Sequence, residues 1–224
     1  MDQYECRREQ MVQSQIALRG IRDEKLLAAM RVVPRERFVS ERMAEFAYED
    51  SALPIEQGQT ISQPYVVALM IDAAEIGARD RVLEVGAGSG YAAAVLSRIA
   101  ARVYAIERHE QLATAAQGRF VALGYQNIEL KVGDGSTGWP DAAPFDAILV
   151  AACGPMVPPA LKEQLAIGGR LVMPVGQESY QRLVKVTRKS DADFDQHDLG
   201  SVVFVPLVGE QGWADDGSRT DIEK

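Results

Sequence analysis

The chain has 224 residues, an apolar content of 47% and a formal net charge of −8 at pH 7. Its length suits one well-buried core with an appendage and is short for two full domains. The acidic balance argues against a nucleic-acid partner, since phosphate binding calls for a basic face, and no apolar run approaches the ~20 residues that span a membrane.

Cysteine and histidine content narrows the chemistry further. Cys6 and Cys153 lie far apart in the sequence, and the charged N-terminus lacks the apolar stretch of a signal peptide. His109 and His197 show no metal-ligand spacing. We therefore expect a cytoplasmic protein without a metal or a membrane partner, and a monomer.

The first part of the chain predicts a helical lead-in. Amphipathic helices are expected over residues 8–18 and 23–31, separated by Gly20 and closed before Pro34. Their apolar faces are expected to pack on the body of the protein rather than to form a cofactor site.

An irregular stretch over residues 40–60 precedes a third predicted helix, which begins near Pro64 and runs to about Ala74. Either Ser62 or Gln63 is expected to cap this helix. From the residues alone, capping is the commoner role for a serine placed just before a helix-starting proline.

Strand and helix patterns alternate from residue 81 onward. Strands are predicted from 81 and over 102–106, 128–132, 145–150 and 170–174, and helices near 90–100, 109–123 and 158–166. This alternation predicts an α/β fold with a doubly wound, mostly parallel sheet that binds its ligands at the carboxyl ends of the strands.

The last two predicted strands have no helical pattern between them. Residues 182–188 and 201–205, joined by a polar loop over 189–199, predict an antiparallel hairpin at the edge of the sheet. The polar, acidic tail over 214–224 is expected to be mobile.

The first core strand runs into a glycine turn. Glu84 lies near the strand's end, and Gly86 and Gly88 follow it. A dinucleotide-binding turn needs a third small residue for close helix packing, but Tyr91 occupies that position. The spacing is instead that of S-adenosylmethionine (SAM)-dependent methyltransferases, whose cofactor has no pyrophosphate. The structural alternative is a tight strand-to-helix connection without a ligand.

Acidic residues also follow the next two strands. Glu107 ends the second strand, where a carboxylate can accept hydrogen bonds from both ribose hydroxyls. The third strand runs into Gly133, Asp134 and Gly135, and the Asp134 carboxylate could meet the adenine amino group. Because a tight turn explains the glycines but not both acids, the three strand ends together predict SAM binding.

These segments resemble protein-L-isoaspartate O-methyltransferases, from about Met11 to Trp213. The most family-specific block is Thr60-Ile61-Ser62-Gln63-Pro64, which other SAM enzymes lack at this position. A small departure occurs at Cys153-Gly154. The other segments that carry the resemblance are 19–21, 33–39, 57–59, 82–91, 133–135, 138–140 and 204–207.

The resemblance implies a class I methyltransferase fold, a Rossmann-like seven-stranded sheet with an N-terminal helical extension. It implies one domain over 1–224, with a lead-in over 1–60 and a SAM-binding core over 61–208, and Ser62 as the active-site residue. SAM, and its product S-adenosyl-L-homocysteine, are expected to contact Thr60, Ile61, Glu84, Gly86, Gly88, Ser89, Glu107, Arg108, Asp134 and Gly135. The substrate peptide is expected to contact Gln59, Thr60, Ser62, Val205 and Pro206.

The implied reaction is methylation of the free α-carboxylate of L-isoaspartyl residues in damaged proteins and peptides, which starts their repair through a succinimide. This carboxylate is already ionised at neutral pH, so its methylation needs no general base. The block around Ser62 contains no histidine, cysteine or pair of acids, which agrees with that requirement.

Three alternative functions differ from this interpretation at particular residues. An amino-group methyltransferase typically carries Asn/Asp-Pro-Pro-aromatic after the fourth strand, where this chain has Ala-Ala-Cys-Gly-Pro over 151–155. A nicotinamide oxidoreductase is disfavoured by Tyr91. A SAM-binding scaffold without catalysis would share the same cofactor residues.

Two single residues have competing interpretations. Cys153 is a candidate nucleophile, but no basic residue is near it in the sequence, so a small semi-buried thiol is expected. Trp213 would either close over the site or anchor the last strand.

Overall fold

The architecture is a central sheet covered by helices, and the computed structural model describes it over residues 2–177 and 179–215. The helices are α1 (Gln3–Gln10), α2 (Glu24–Val32), α3 (Pro64–Ala73), α4 (Tyr91–Ser97), α5 (Glu110–Ala122) and α6 (Pro159–Glu163). The strands are β1 (Leu53–Pro54), β2 (Thr60–Ile61), β3 (Arg81–Val85), β4 (Arg102–Glu107), β5 (Ile128–Val132), β6 (Phe145–Val150), β7 (Leu165–Gln177), β8 (Tyr180–Arg188) and β9 (Phe194–Val202). Over the described ranges, no helix has the length and apolarity needed to cross a membrane.

Short helical turns complete the connections. A π-helical stretch covers Met11–Ile16, and 3₁₀ helices cover Ala17–Arg19, Arg35–Phe38, Glu41–Phe46, Gly135–Thr137 and Pro140–Ala142. Residues 40–60, predicted to be irregular, therefore contain a 3₁₀ helix and the short antiparallel pair β1–β2.

The N-terminal helix starts earlier than predicted. α1 continues through the π-helical stretch and the 3₁₀ turn to Gly20, which has a φ of 103° and ends the helix as expected. The predicted start at residue 8 is wrong, because the Glu5 carboxylate accepts the Asp2 backbone N–H at 2.9 Å and stabilises a helix that begins there.

Strands β3 to β9 form one seven-stranded sheet in the order β5-β4-β3-β6-β7-β8-β9. β3 pairs in parallel with β4 and β6, and parallel pairing continues to β5 and β7. The predicted mostly parallel, doubly wound sheet is confirmed. β3 lies between β4 and β6, so the strand order reverses there, which is where such sheets bind ligands.

The core lies on both faces of this sheet. Val82 and Ala147 face the cluster that holds buried residues of the π-helical stretch, α2, α3 and α4, whereas Leu83 and Ile148 face a second cluster with α6. Neighbouring residues of one strand are thus buried on opposite sides, as period-2 alternation requires. Burial on both faces explains the continuous apolar runs that predicted these strands.

The edge hairpin is present, but its second strand is not where the sequence placed it. β8 and β9 are antiparallel, yet β9 covers most of the predicted polar loop 189–199 and ends at Val202. Cross-strand polar contacts explain the error, since Arg182 donates to Asp198 at 2.7 Å and to the Ser201 hydroxyl at 2.7 Å. A strand whose polar side chains pair with those of the neighbouring strand has a sequence as polar as that of a loop, and it is therefore predicted as one.

The predicted cap position of α3 is confirmed at Gln63, one of the two expected residues, although no side chain makes a cap hydrogen bond. Gln63 occupies the N-cap position, but its side chain makes no cap hydrogen bond and instead donates to the Asp50 carbonyl at 3.0 Å. Pro64 fills the first helical position, where no N–H is needed. Ser62 lies one residue before the cap, and its hydroxyl is therefore not used by the helix.

Candidate active site

A cavity of about 400 Å³ opens at the carboxyl ends of the central strands. Three parts of the chain line it: the strand-end wall, residues 84–89, 106–109, 133 and 135; the serine segment, residues 59–63; and the C-terminal segment, residues 201–208. Every predicted site residue except Asp134 is among the lining residues. The fold therefore brings together residues that are far apart in the sequence.

The glycine turn forms the floor of the strand-end wall. Gly86, Gly88 and Gly90 have φ values of 84°, 53° and 89°, a region that side chains disfavour. A Cβ on Gly90 would lie 2.7 Å from the Phe120 ring, so only glycine fits there. The turn thus exposes backbone atoms to the cavity and lets the following helix approach the sheet closely. Ser89, another predicted contact, is buried beside this turn and lines the cavity.

Glu107 connects the end of β4 to that turn. Its carboxylate is buried and accepts the Gly88 backbone N–H at 2.8 Å and the His109 backbone N–H at 2.9 Å, one on each oxygen. Each oxygen keeps a lone pair that faces no described donor. Holding the turn is a role that the sequence did not reveal, and it leaves the carboxylate able to accept further hydrogen bonds from the cavity.

Glu84 is a buried carboxyl group without a hydrogen-bond partner on one oxygen. The residue is 3% exposed, lines the cavity, and its Oε2 has no partner among the described residues. Burial, and then the nearby charge of Glu107, raise the pKa of Glu84 to about 8. A cationic ligand group beside Oε2 would supply the missing partner.

Asp134 lies behind the cavity wall rather than on it. Its Oδ1 accepts the Ser136 N–H at 2.8 Å and the Ser136 hydroxyl at 2.7 Å, and its Oδ2 accepts the Glu210 N–H at 2.7 Å. Burial raises the pKa of Asp134, but these hydrogen bonds outweigh it and hold the pKa below its ordinary value. The neighbouring Gly135 lines the cavity so close to Val85 that a Cβ would lie 2.3 Å from its Cγ1.

The serine segment forms the opposite side of the cavity. Its residues follow β1 and continue through β2, so Gln59, Thr60 and Ile61 are held by the two-stranded pair. Ser62 is half-buried, and its hydroxyl makes no hydrogen bond to any residue that the structure describes. A free hydroxyl at the cavity surface is available to a ligand.

The C-terminal segment closes the third side. The Cys153 N–H donates to the Val205 carbonyl at 2.8 Å, and the Leu207 N–H donates to the Cys153 carbonyl at 2.8 Å. This ladder places Val205 and Pro206 against the loop that follows β6. Arg108 lines the cavity from the strand-end wall and forms an ion pair with Asp215 at 2.7 Å.

Cys153 and Trp213 lie outside the cavity lining. Cys153 is 2% exposed, and burial raises the pKa of its thiol, which opposes a nucleophilic role. The Trp213 indole donates to the Cys153 carbonyl at 2.9 Å, a contact that anchors the chain after β9. Over the described ranges, no cluster of three or more His, Cys, Asp or Glu side chains could hold a metal ion. Most of the tail over 214–224 lies outside the described residues.

Among the lining residues that were not predicted as ligand contacts, three carry large aromatic or imidazole side chains. Tyr91 was considered only as an obstacle to dinucleotide binding and His109 only as a metal ligand, whereas Phe204 was not considered. Each is within two residues of a predicted contact, so proximity in the sequence was the available signal.

A family model described as protein-L-isoaspartate(D-aspartate) O-methyltransferase matches residues 6–212. A protein-L-isoaspartate O-methyltransferase 1 of Rhodopseudomonas palustris is 58% identical over 212 residues, which are 94% of this chain and 86% of the relative. A protein-L-isoaspartate O-methyltransferase of Brucella anthropi is 54% identical over 216 residues, which are 96% of this chain and 99% of the relative.

Solved structures show the same fold. A structure of a protein-L-isoaspartate O-methyltransferase superposes with a TM-score of 0.84 at 28% identity and covers 92% of this chain and 67% of its own. A Plasmodium falciparum protein solved in complex with S-adenosyl-L-homocysteine gives a TM-score of 0.78 at 24% identity, covering 90% of this chain and 98% of its own.

Proposed function

The chain belongs to the protein-L-isoaspartate(D-aspartate) O-methyltransferase family, and from this membership we propose how its cavity performs that family's reaction. The enzyme transfers a methyl group from SAM to the free α-carboxylate of L-isoaspartyl residues in damaged proteins and peptides. The methyl ester carries a better leaving group than the carboxylate does. The neighbouring backbone amide nitrogen can therefore attack the ester carbonyl, lose its proton and expel methanol, which closes a succinimide whose hydrolysis returns part of the material to normal aspartate.

The strand-end wall carries the groups that suit SAM. The unpartnered Oε2 of Glu84 suits an ammonium group, and the remaining lone pairs of Glu107 suit two ribose hydroxyls. When bound, SAM supplies an electrophilic methyl group. The residues that we propose to hold it are Thr60, Ile61, Glu84, Gly86, Gly88, Ser89, Glu107, Arg108, Asp134 and Gly135.

Asp134 has the most restricted role in this group. Its Oδ1 already accepts two hydrogen bonds, so only the second lone pair of Oδ2 can accept the adenine amino group. The same carboxylate also holds the chain at Glu210. We propose that Asp134 serves both purposes, with Gly135 giving the adenine room against the wall.

Ser62 is proposed to orient the substrate carboxylate, and its free hydroxyl at the cavity surface is the observation that carries this proposal. The substrate carboxylate is ionised at neutral pH, so Ser62 need only donate a hydrogen bond and never lose its proton. Placement of the reacting groups then provides most of the rate, and good orientation can contribute about 7–11 kcal/mol. Gln59, Thr60, Val205 and Pro206 are proposed to hold the peptide on either side.

We propose that the protein acts in the cytoplasm. The two cysteines are free, one exposed and one buried, which suits a reducing cytoplasm. The net charge of −8 suits a protein substrate rather than a nucleic acid, and we propose that the enzyme acts as a monomer and as a single methyltransferase domain, with 1–60 as lead-in and 61–208 as core.

A pair of peptides tests the function. Two peptides that differ only in isoAsp or Asp at one position are incubated with the enzyme and methyl-labelled SAM. We expect label on the isoAsp peptide and at least about a hundredfold less on its Asp twin, because a misplacement of about 1 Å can cost that much. The product should release methanol in mild alkali, as an ester does.

Other outcomes have definite meanings. Alkali-stable label would mean methylation on nitrogen and would refute carboxyl methylation. Equal labelling of both peptides would retain carboxyl methylation but remove the selectivity for damaged residues.

A further inference from the structure

The segment 33–39 is part of the family resemblance, yet none of its residues lines the cavity. Within it, Arg35 begins a 3₁₀ helix and is 0% exposed. Burial lowers the pKa of Arg35 to about 10, so the side chain is still a cation at neutral pH. A fully buried cation needs an explanation, because apolar residues of similar size would pack there at lower cost.

The Arg35 guanidinium joins two distant parts of the backbone. Its Nε donates to the Ala47 carbonyl at 2.7 Å, and its Nη2 donates to the Ser62 carbonyl at 2.8 Å. These bonds span 12 and 27 residues of sequence. Because Ser62 precedes α3 without serving as its cap, the bond from Arg35 is the contact that fixes its carbonyl.

The same guanidinium lies against the helix that follows the glycine turn. Its carbon is 4.8 Å from the centre of the Tyr91 ring, in cation–π geometry. Tyr91 is buried, lines the cavity and directly follows Gly90. Arg35 therefore touches both the serine segment and the element that sets the cofactor position.

Charge pairing does not account for this cation. No ion pair connects Arg35 to a carboxylate among the described residues, and its Nη1 has no hydrogen-bond partner there. Its fixed contacts are two carbonyls and one ring, all of which it reaches with a rigid, planar group. This arrangement suits a residue that positions the backbone around it better than one that mainly stabilises the fold.

We infer that Arg35 is a positioning residue, which holds the main chain of Ser62 in register with the glycine turn and so aims the serine hydroxyl at the substrate carboxylate. This inference rests on the role proposed for Ser62. Arg35 itself touches neither ligand, so it acts only through Ser62 and Tyr91.

A double-mutant cycle tests the inference. Arg35→Lys keeps the charge but cannot make both carbonyl bonds and also stack on the ring. We expect kcat for an isoAsp peptide to fall roughly ten- to a hundredfold, since small misplacements are costly, while the Kd for S-adenosyl-L-homocysteine changes less than about twofold. In the Ser62→Ala background, Arg35→Lys should lower kcat no further, because the group that it positions is absent.

Arg8→Lys is the matched control. Arg8 is also buried, lies 5.9 Å from the Tyr48 ring and donates to the Val32 carbonyl at 3.3 Å. Its charge also acts on Tyr91, and Arg8→Lys keeps that charge while it changes a guanidinium that is not bonded to Ser62. Its replacement should cost stability without changing kcat. If Arg35→Lys fails to fold, Arg35→Gln, which keeps an N–H donor for one carbonyl, replaces it in the cycle.

Each remaining outcome is decisive. Three outcomes would overturn the inference. The first is a double variant whose loss of kcat equals the product of the two single losses. The others are an unchanged kcat in Arg35→Lys and a loss of ligand affinity as large as the loss of kcat. If Ser62→Ala itself left kcat unchanged, the proposed role of Ser62 would fail, and Arg35 would lose its assigned purpose with it.

Discussion

The strand-end wall and the serine segment face each other across one cavity but are held in different ways. In the strand-end wall, Glu107 holds the glycine turn by accepting the Gly88 backbone N–H, 19 residues away, and also accepts the nearby His109 N–H. In the serine segment, the Ser62 backbone is fixed by one side chain that is 27 residues away and fully buried. One side is organised by neighbouring strands of the large sheet, whereas the other combines the short β1–β2 pair with a contact to Ser62 from a distant side chain.

This difference predicts which property, ligand affinity or kcat, a mutation on each side of the cavity should change. Changes in the strand-end wall should alter the affinity for the ligand and the ionisation of the wall's own acids. They should leave the serine segment in place, because that segment is held by other contacts. A change at Ser62 should alter kcat at saturating cofactor, because the residues proposed to bind the cofactor are not themselves replaced. Three predictions, ordered by expected effect, can confirm or refute this division.

The largest effect is expected at Glu84, through the pH dependence of stability. Its pKa is raised from 4.5 to about 8 in the folded protein, first by burial and then by Glu107. The protonated Glu84 carboxyl therefore makes its full contribution to the stability of the folded protein below pH 4.5. This contribution is lost as the pH rises to about 8. Between pH 5 and 8, the free energy of unfolding of the wild type should fall by about 2–4 kcal/mol more than that of Glu84→Gln.

Denaturant titrations of both proteins at several pH values measure this difference. Other ionisable groups are shared by the two proteins and cancel in the comparison. Parallel pH profiles would mean that Glu84 is ionised in the folded protein, and the buried acid would then need a partner other than the ligand.

The second effect concerns Ser62→Ala. A hydrogen bond to a charged group contributes about 1.5–3 kcal/mol, so kcat and kcat/KM for an isoAsp peptide should fall together by about ten- to a hundredfold. Cofactor affinity should stay nearly constant, and residual activity should remain because no proton has to be removed. Steady-state kinetics with calorimetric titration of the cofactor separates these quantities.

A different pattern would contradict the division between the two sides. An increase in KM alone would make Ser62 a uniform binding contact. A drop in thermal stability without any kinetic change would assign the residue a purely structural role.

The third effect concerns Glu107→Ala. Loss of the proposed ribose hydrogen bonds should weaken SAM binding by about 1–3 kcal/mol. Because Gly88 and His109 lose their acceptor as well, thermal stability should also fall slightly. Calorimetric titration measures the affinity; an unchanged Kd would remove Glu107 from the cofactor site and leave it only as a support of the turn.

The same division explains which features could be predicted from the sequence. The strand-end wall was predictable because buried parallel strands are continuous apolar runs, and because the glycines and acids at their ends follow directly in the chain. The serine segment was recognised by its family resemblance, whereas its backbone support from Arg35 was not. A contact between residues that are 27 positions apart leaves no periodic signal.

Other differences between the sequence-based prediction and the structure have equally local causes. β9 was mistaken for a loop because its polar side chains pair with those of β8 instead of forming an apolar face. Asp134 was predicted to contact the adenine because it follows a strand; the sequence did not reveal that its carboxylate also accepts hydrogen bonds from Ser136 and Glu210, and the adenine contact stays a prediction. A sequence pattern locates a residue at a strand end, and only the surrounding donors decide which way its side chain points.

The C-terminal segment has a consequence for the timing of protein synthesis. Residues 201–208 form one side of the cavity and are held by backbone bonds to the loop after β6. A ribosome adds residues 203–208 after every strand of the sheet has been made, and folding begins with the N-terminal part of the chain during synthesis. A nascent chain that ends before residue 201 lacks this side of the cavity and has an open groove in its place. The ability to enclose a peptide therefore develops late in translation.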